Sequence, residues 1–357
     1  MTESSHRSGR RVRYTGTHPR RFVERYKELD PDRHPGMHAV VRARGGTPAG
    51  THVAIMVPEV LAVLALRSGD IVADATLGHG GHALELWRRV APAGRLIGFD
   101  VDQRELDRAS ARLRAAGVRL TVHRMHYAGL GSVLASDALD GYDAILADLG
   151  CSSMQLDDPA RGFSYKHDGP LDMRMDDRLR TTAGDLIREL SQGELSAALR
   201  DLADEPDHER IAARIAFERA RSVIASTRDL RRVVFAAKGI TQEQWRERAR
   251  RDQRTLHPAA RTFQALRILV NDELRGLEQF LRVLPYCLRP GGRVAVLSFH
   301  RGEDERVAEA FRAGRRCGIY AAIAEAPLKA GAAERRSNPR SGSARLRWAQ
   351  RDPSCSS

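Results

Sequence analysis

A chain of 357 residues with a 42% hydrophobic share beside 29% charged residues can bury a full core as one or two globular domains. The longest apolar stretch, residues 53–66, is broken by Pro58 and Glu59, no apolar signal core opens the chain, and Cys151, Cys287, Cys317 and Cys355 lie far apart without C-x-x-C spacing; these features exclude a membrane span, a disulfide scaffold and a structural zinc, and lead us to expect a cytoplasmic protein. The net charge of +13 sits at the two ends, +6 over residues 1–50 and +6 over residues 327–351, which favours a polyanionic partner over a merely solubilising Arg-rich composition.

Residues 1–50 mix Gly, Pro, Ser and Arg with little apolar periodicity and are expected to be a disordered basic extension. A helix is predicted over residues 53–66, opening near Pro58, whose missing N–H is not needed in a first turn. Short buried strands follow at Ile71–Ala75, Arg95–Val101, Leu120–Met125 and Asp143–Leu149, separated by helices beginning at Gly80 and spanning Gln103–Ala115. Strand and helix in alternation predict a parallel sheet covered on both faces. The alternation then stops. Residues 157–177 read as a charged loop, and residues 183–250 as wholly helical, with capping boxes at Ser191–Glu194 and Thr241–Gln244. One long amphipathic helix is predicted from Phe263 through Leu266, Val270, Leu274, Leu277 and Leu281. The turn Arg289–Gly292 leads to a strand over Arg293–Phe299, and a last strand is placed at Ala344–Ala349; no internal repeat is evident.

The chemistry begins at Asp74-Ala-Thr-Leu-Gly-His-Gly-Gly-His82, between a strand and a helix. Glycines let backbone approach a ligand closely, and the following helix start presents free N–H groups. Asp100 ends the second strand, where a carboxylate can accept both hydroxyls of a ribose. The run is G-x-G-G rather than the G-x-G-x-x-G of dinucleotide folds, which favours S-adenosylmethionine (SAM) over a nicotinamide cofactor, with Asp74 placed to orient the methionine ammonium. Asp148 closes the fourth strand beside the first. Its carboxylate either accepts from the amine that receives the methyl group or holds the cofactor. Cys151 offers a competing nucleophile, but no basic residue flanks it in sequence to depress its pKa, so a small buried side chain is the stronger reading. His79 and His82 are read as lining the cofactor pocket and not as metal ligands, and His257 and His300 as packed or capping residues no less than functional ones. In the long loop, Phe163 and Tyr165 either stack on a splayed base or anchor the loop, and Arg161 or Arg174 either binds phosphate or does not.

Several strings together resemble one family. They are D-A-T-L-G-x-G-G-H at residues 74–82, D-L-G-x-S-S-x-Q-L-D at 148–157, R-G-F-S at 161–164, D-G-P-L-D-M-R-M-D at 168–176, H-P-A-x-R-T-F-Q-A-L-R-I at 257–268, R-P-G-G-R at 289–293 and S-F-H at 298–300. From about His52 to Trp348 the chain resembles the RsmH (MraW) methyltransferases, which methylate N4 of a cytosine in the decoding region of bacterial 16S ribosomal RNA. The resemblance implies a class I SAM-dependent methyltransferase fold, a Rossmann-like doubly wound α/β sheet over residues 51–159 and 256–350, with an inserted helical substrate-recognition domain at 160–255 and a tail at 351–357. It implies SAM contacts from Gly80, Gly81, His82, Asp100, Tyr127, Asp148 and Gln155, with Asp148 the candidate catalytic group, no metal, and the small ribosomal subunit as partner. Tyr127 and Gln155 rest on the resemblance alone; the residues themselves point to the turn, Asp100 and Asp148. Departures occur at Arg301-Gly302-Glu303-Asp304-Glu305, where the family continues S-L-E-D-R, and over residues 203–210, where it has a G-E-E-like segment; the basic extension stands outside the family core. The competing functions are a non-catalytic RNA-binding or ribosome-assembly factor, a DNA cytosine-N4 methyltransferase and a nicotinamide-dependent oxidoreductase.

Overall fold

The computed structural model describes residues 54–354 apart from 138 and 253–254, so the basic extension over 1–50 and the end of the tail lie outside the described residues. Helix α1 (Val57–Leu64) carries Pro58 in its first turn, and β1 (Ile71–Asp74), α2 (Gly81–Val90), β2 (Arg95–Asp100), α3 (Gln103–Ala115) and β3 (Leu120–Arg124) follow in alternation. After α4 (Leu130–Ser136) comes β4 (Tyr142–Asp148) and the single-turn α5 (Ser153–Asp157). Helices α6 (Ala183–Glu189), α7 (Gln192–Ala203), α8 (His208–Arg219), α9 (Thr227–Lys238) and α10 (Gln242–Arg251) fill the expected helical stretch. Then come α11 (Ala260–Asn271), α12 (Glu273–Cys287), β5 (Leu288–Ser298), α13 (Arg301–Arg316), β6 (Tyr320–Ile323), α14 (Ala332–Ser337) and β7 (Arg345–Arg351).

The seven strands run in the order β3-β2-β1-β4-β5-β7-β6, with β1 hydrogen-bonded in parallel to both β2 and β4. Side chains alternate faces along each strand, so Val72, Leu96 and Leu146 enter one core while Ala73, Ile97 and Ile145 enter the other. The first core is closed by α1, α2 and α3 through Val60, Leu86 and Leu106, the second by α12 and α13 through Phe280 and Phe311. A third core contains no strand residue. It joins Leu195, Ile211 and Val234 to Phe163 and Met173 of the charged loop and to Phe263 and Leu266 of α11.

Three expectations need correction. The sheet is not wholly parallel, because β7 pairs antiparallel with both β5 and β6. Strand β6, a four-residue Y-A-A-I edge, was not predicted, since so short a run carries neither a clear period nor flanking turn residues. The single long helix is two, broken where Asp272 takes a left-handed backbone (φ 49°). An apolar period can continue across such a break, and only the backbone turn sends α11 to the helical core and α12 to the sheet. Both predicted capping boxes are present, and further ones occur at Ser152–Gln155, Thr182–Asp185, Ser226–Asp229 and His300–Glu303.

Candidate active site

The strand order reverses between β1 and β4, and at such a switch point a crevice opens beyond the carboxyl ends of the strands. A cavity of about 540 Å³ occupies that place, in the size range of small-molecule sites. Gly81, His82, Asp100, Tyr127, Asp148 and Gln155 all line it. Gly80 stands just behind the wall. Its backbone is left-handed (φ 74°), and a Cβ there would come within 2.8 Å of the Leu113 side chain, so glycine sets how tightly the turn packs on α3.

Asp100 closes β2 with its carboxylate already accepting at both oxygens, from Gly78 N–H at 2.8 Å and from Asp102 N–H at 2.9 Å. Burial nevertheless pushes its pKa up to about 6. Asp102, two residues on, caps α3 and receives Gln155 Nε2–H at 2.9 Å and Arg161 at 2.6 Å, which ties the turn after β4 to the end of β2. Gln155 is thereby engaged at both ends of its amide, since its Oε1 accepts from Ser152 N–H. The Tyr127 ring meets Phe280 edge-on at 5.3 Å and leans on His126 at 4.0 Å. Asp74 is fully buried but does not line the cavity, and its Oδ2 has no hydrogen-bond partner.

Asp148 is the most unusual group. Its backbone N–H donates to Thr76 Oγ1 at 2.6 Å, fixing β4 against the glycine turn, while its own Oδ1 is buried without a partner. Burial, reinforced by the Glu303 carboxylate, raises its pKa to about 7. Its Oδ2 lies 3.6 Å from His82 Nδ1. The other ring nitrogen of His82 is 2.9 Å from the Ile55 carbonyl, which can only accept, so Nε2 carries the hydrogen. Burial lowers the His82 pKa even against the pull of Asp74, leaving a neutral ring with a bare Nδ1 facing Asp148. The arrangement is an under-satisfied carboxylate poised near neutrality, aimed at a ligand-sized space.

The long loop resolves toward anchoring. Phe163 is buried in the helical core and Tyr165 stacks on His257 at 4.1 Å. Arg161 pairs with Asp102, and Arg174 grips Asp172 at 2.8 Å. Gly162 and Gly169 let the strands of this loop cross, since a Cβ on either would collide with the backbone carbonyl of Pro170 or Pro159. His257 packs between Tyr165, Phe235 and Trp245, and His300 pairs with Glu303 at 3.2 Å. The absence of a basic neighbour beside Cys151 held in sequence but not in space, because Arg267 donates to its sulfur at 3.3 Å. Burial still drives that thiol's pKa upward, against the nucleophile reading. Among the described residues no cluster of His, Cys, Asp or Glu is placed to hold a metal, and no helix is long and apolar enough to cross a membrane.

Sequence reasoning missed Arg267, Glu273 and Glu303, all of which line the cavity. Glu303 lies in a segment noted only as a departure from the family pattern. The altered positions Arg301 and Glu305 face solvent, whereas Glu303 and Asp304 are buried, Asp304 holding Arg347 at 2.6 Å. In the other departing segment, Glu205 is buried and paired with Lys238 at 2.5 Å.

Comparison with known proteins bears on this site. The family model described as the MraW methylase family matches residues 49–352. The chain is 41% identical to ribosomal RNA small subunit methyltransferase H 2 of Alkaliphilus metalliredigens over 98% of its own length and 99% of that relative. It is 40% identical to ribosomal RNA small subunit methyltransferase H 1 of Lachnoclostridium phytofermentans, over 95% and 92%. With methyltransferase H of Citrifermentans bemidjiense the figures are 41% identity over 83% of this chain and 97% of the relative. Coverage of 98% leaves few residues unaligned, so the basic extension, expected to stand outside the family core, has a counterpart in some relatives.

Proposed function

The chain belongs to the MraW methylase family, and on that premise we propose that it transfers a methyl group from SAM to the N4 amine of a cytosine in small-subunit ribosomal RNA. The observation that carries this reading is Asp148, a part-buried carboxylate with one buried, unpartnered oxygen at the switch point of the sheet. The relatives' names supply the RNA, the resemblance to the RsmH (MraW) methyltransferases supplies the cytosine N4, and the carboxylate supports an amine as acceptor.

Bound SAM supplies an electrophilic methyl group on a sulfonium centre. The residues present suit such a donor: Asp100 offers carboxylate oxygens for ribose hydroxyls, the Tyr127 ring a face for adenine, and Gly81 and His82 the free N–H groups of a helix start for the methionine carboxylate. Gln155 braces this wall through Asp102. A stacked base hides its reactive edge, so the cytosine must be extruded into the cavity. The exocyclic amine is a weak nucleophile because its lone pair is delocalised into the ring. Asp148, accepting one N–H, helps that nitrogen pyramidalise, and with a pKa near 7 it can take the proton released as the N–CH₃ bond forms. Residues 51–159 with 256–350 hold the donor in this scheme, and the inserted helices at 160–255 face the RNA.

The test is a pair of measurements on the purified protein: calorimetric titration with SAM and with NAD, then methyl transfer from labelled SAM to small-subunit particles. Binding of SAM alone, followed by label in RNA, is expected. Binding of NAD would contradict the donor, and SAM binding without transfer to RNA would leave a non-catalytic RNA-binding factor as the better reading.

A further inference from the structure

Cytosine presents one donor, N4–H, beside two acceptors, N3 and O2. A carboxylate alone reads only the first. Three arginines line the cavity, and they differ in setting. Arg178 and Arg340 are about half exposed, with side chains 53% and 47% accessible, and they pair with Asp176 and Asp157. Arg267 is only 16% accessible. Glu273 holds it with two parallel contacts, Nε at 2.8 Å and Nη2 at 2.9 Å, which fixes the plane of the guanidinium. A third N–H points to Cys151 Sγ at 3.3 Å, and thiol sulfur is a weak acceptor for a charged donor. A guanidinium has five N–H groups, so one hydrogen on each terminal nitrogen is left over.

Glu303 links this group to Asp148. Its carboxylate adds to burial in raising the Asp148 pKa, while against burial His300 first, then Phe299 N–H and Arg267, hold the Glu303 pKa below its ordinary value. Arg267 and Asp148 both line the cavity, and the Cys151 sulfur that Arg267 contacts follows Asp148 by three residues just past the end of β4. A guanidinium kept only for stability would have its donors matched by oxygen acceptors within the protein, since unmatched buried donors are costly. Here two N–H hydrogens have no partner among the described residues, on a side chain that lines the cavity.

We propose that Arg267 is the specificity-determining residue for the base, donating to the N3 and O2 acceptors of the extruded cytosine while Asp148 accepts from N4. Uracil would be refused on both sides, its O4 facing a carboxylate and its N3–H facing a guanidinium. Glu273 is the positioning residue for Arg267. This inference rests on the cytosine-N4 reading above and assigns the recognition that reading leaves open.

The test compares ribosomal RNA particles carrying cytosine or 2-thiocytosine at the position that the unaltered protein methylates, since sulfur at position 2 is a poorer acceptor than oxygen. Transfer is measured as kcat/KM for the unaltered protein, Arg267→Gln and Arg267→Lys, alongside SAM affinity and thermal midpoint. For the unaltered protein the sulfur substitution is expected to lower kcat/KM by about 10-fold or more. Arg267→Gln is expected to lose on the order of 100-fold on cytosine, with SAM affinity within about twofold, and to show no further loss on 2-thiocytosine. Arg267→Lys keeps the charge but not the fork and should fall between. Equal rates on both bases for the unaltered protein, or the same sulfur penalty in both variants as in the unaltered protein, would overturn the assignment. If Arg267→Gln fails to fold, the sulfur penalty in the unaltered protein and in Arg267→Lys decides. Failure of the unaltered protein to make N4-methylcytosine on the cytosine control would instead overturn the functional reading, and this assignment with it.

Discussion

At the scale of single residues, the site is marked by two part-buried carboxylates, Asp100 and Asp148, whose pKa values burial raises to about 6 and about 7. Asp148 must be ionised to accept from the amine, so kcat/KM is expected to rise with pH through about 7 and then level. Asp148→Asn should remove at least about 100-fold of kcat while leaving SAM affinity within a few-fold, measured by single-turnover transfer and calorimetry. The same variant carries a stability signature. The folded-state pKa of Asp148 lies well above the ordinary value of 3.8, so the folded chain binds its proton more tightly than the unfolded chain. Its contribution to stability is therefore greatest at acid pH and is lost as pH rises from about 4 through about 7. Asp148→Asn should thus gain unfolding free energy over the unaltered protein progressively from pH 5 to about pH 7 and then level, the gain reaching on the order of 1 kcal/mol or more; a constant difference would argue against the raised pKa. Asp100 and Asp148 were legible in sequence because each ends an apolar strand, and strand ends in this fold face the crevice. Arg267 was not, because its significance comes from Cys151, 116 positions away, and no local pattern joins them.

At the scale of elements, the long loop and α11 form one unit. Asn271 accepts from Met175 N–H at 2.7 Å and donates to the Met173 carbonyl at 2.8 Å, pinning the D-M-R-M-D segment to the end of α11 just before the chain turns at Asp272. Asn271→Ala should cost about 1–3 kcal/mol in unfolding experiments, because it strands a backbone donor and a carbonyl in a part-buried place. An effect within error would mean that the loop is held by its apolar anchors alone. The strands β1 to β5 and the caps of α7 and α10 were legible because each rests on a local signal, an apolar run or an S/T-x-x-E/Q pattern. The break at Asp272 and the edge strand β6 were not. The first is a backbone turn inside an unbroken apolar period, and the second is four residues whose only support is pairing with β7. The motif strings of the long loop were visible, but their glycines turned out to permit backbone crossings and not ligand approach.

At the scale of the whole molecule, a net charge of +13 concentrated at the two ends of the sequence favours binding to a polyanion. Affinity for RNA should therefore fall steeply between about 50 and 200 mM salt, by roughly 10³-fold if six or more phosphates are neutralised, while SAM affinity stays nearly constant. Parallel salt dependence of the two would remove the case for a phosphate-binding surface. The central claim concerns one atom of one base, and one measurement reaches it: nucleoside mass spectrometry of small-subunit ribosomal RNA from a strain lacking this chain, then restored with the unaltered protein or with Asp148→Asn. The expected result is loss of the N4-methylated cytidine on deletion, its return with the unaltered protein, and no return with the variant. An unchanged N4-methylcytidine level on deletion would contradict the account.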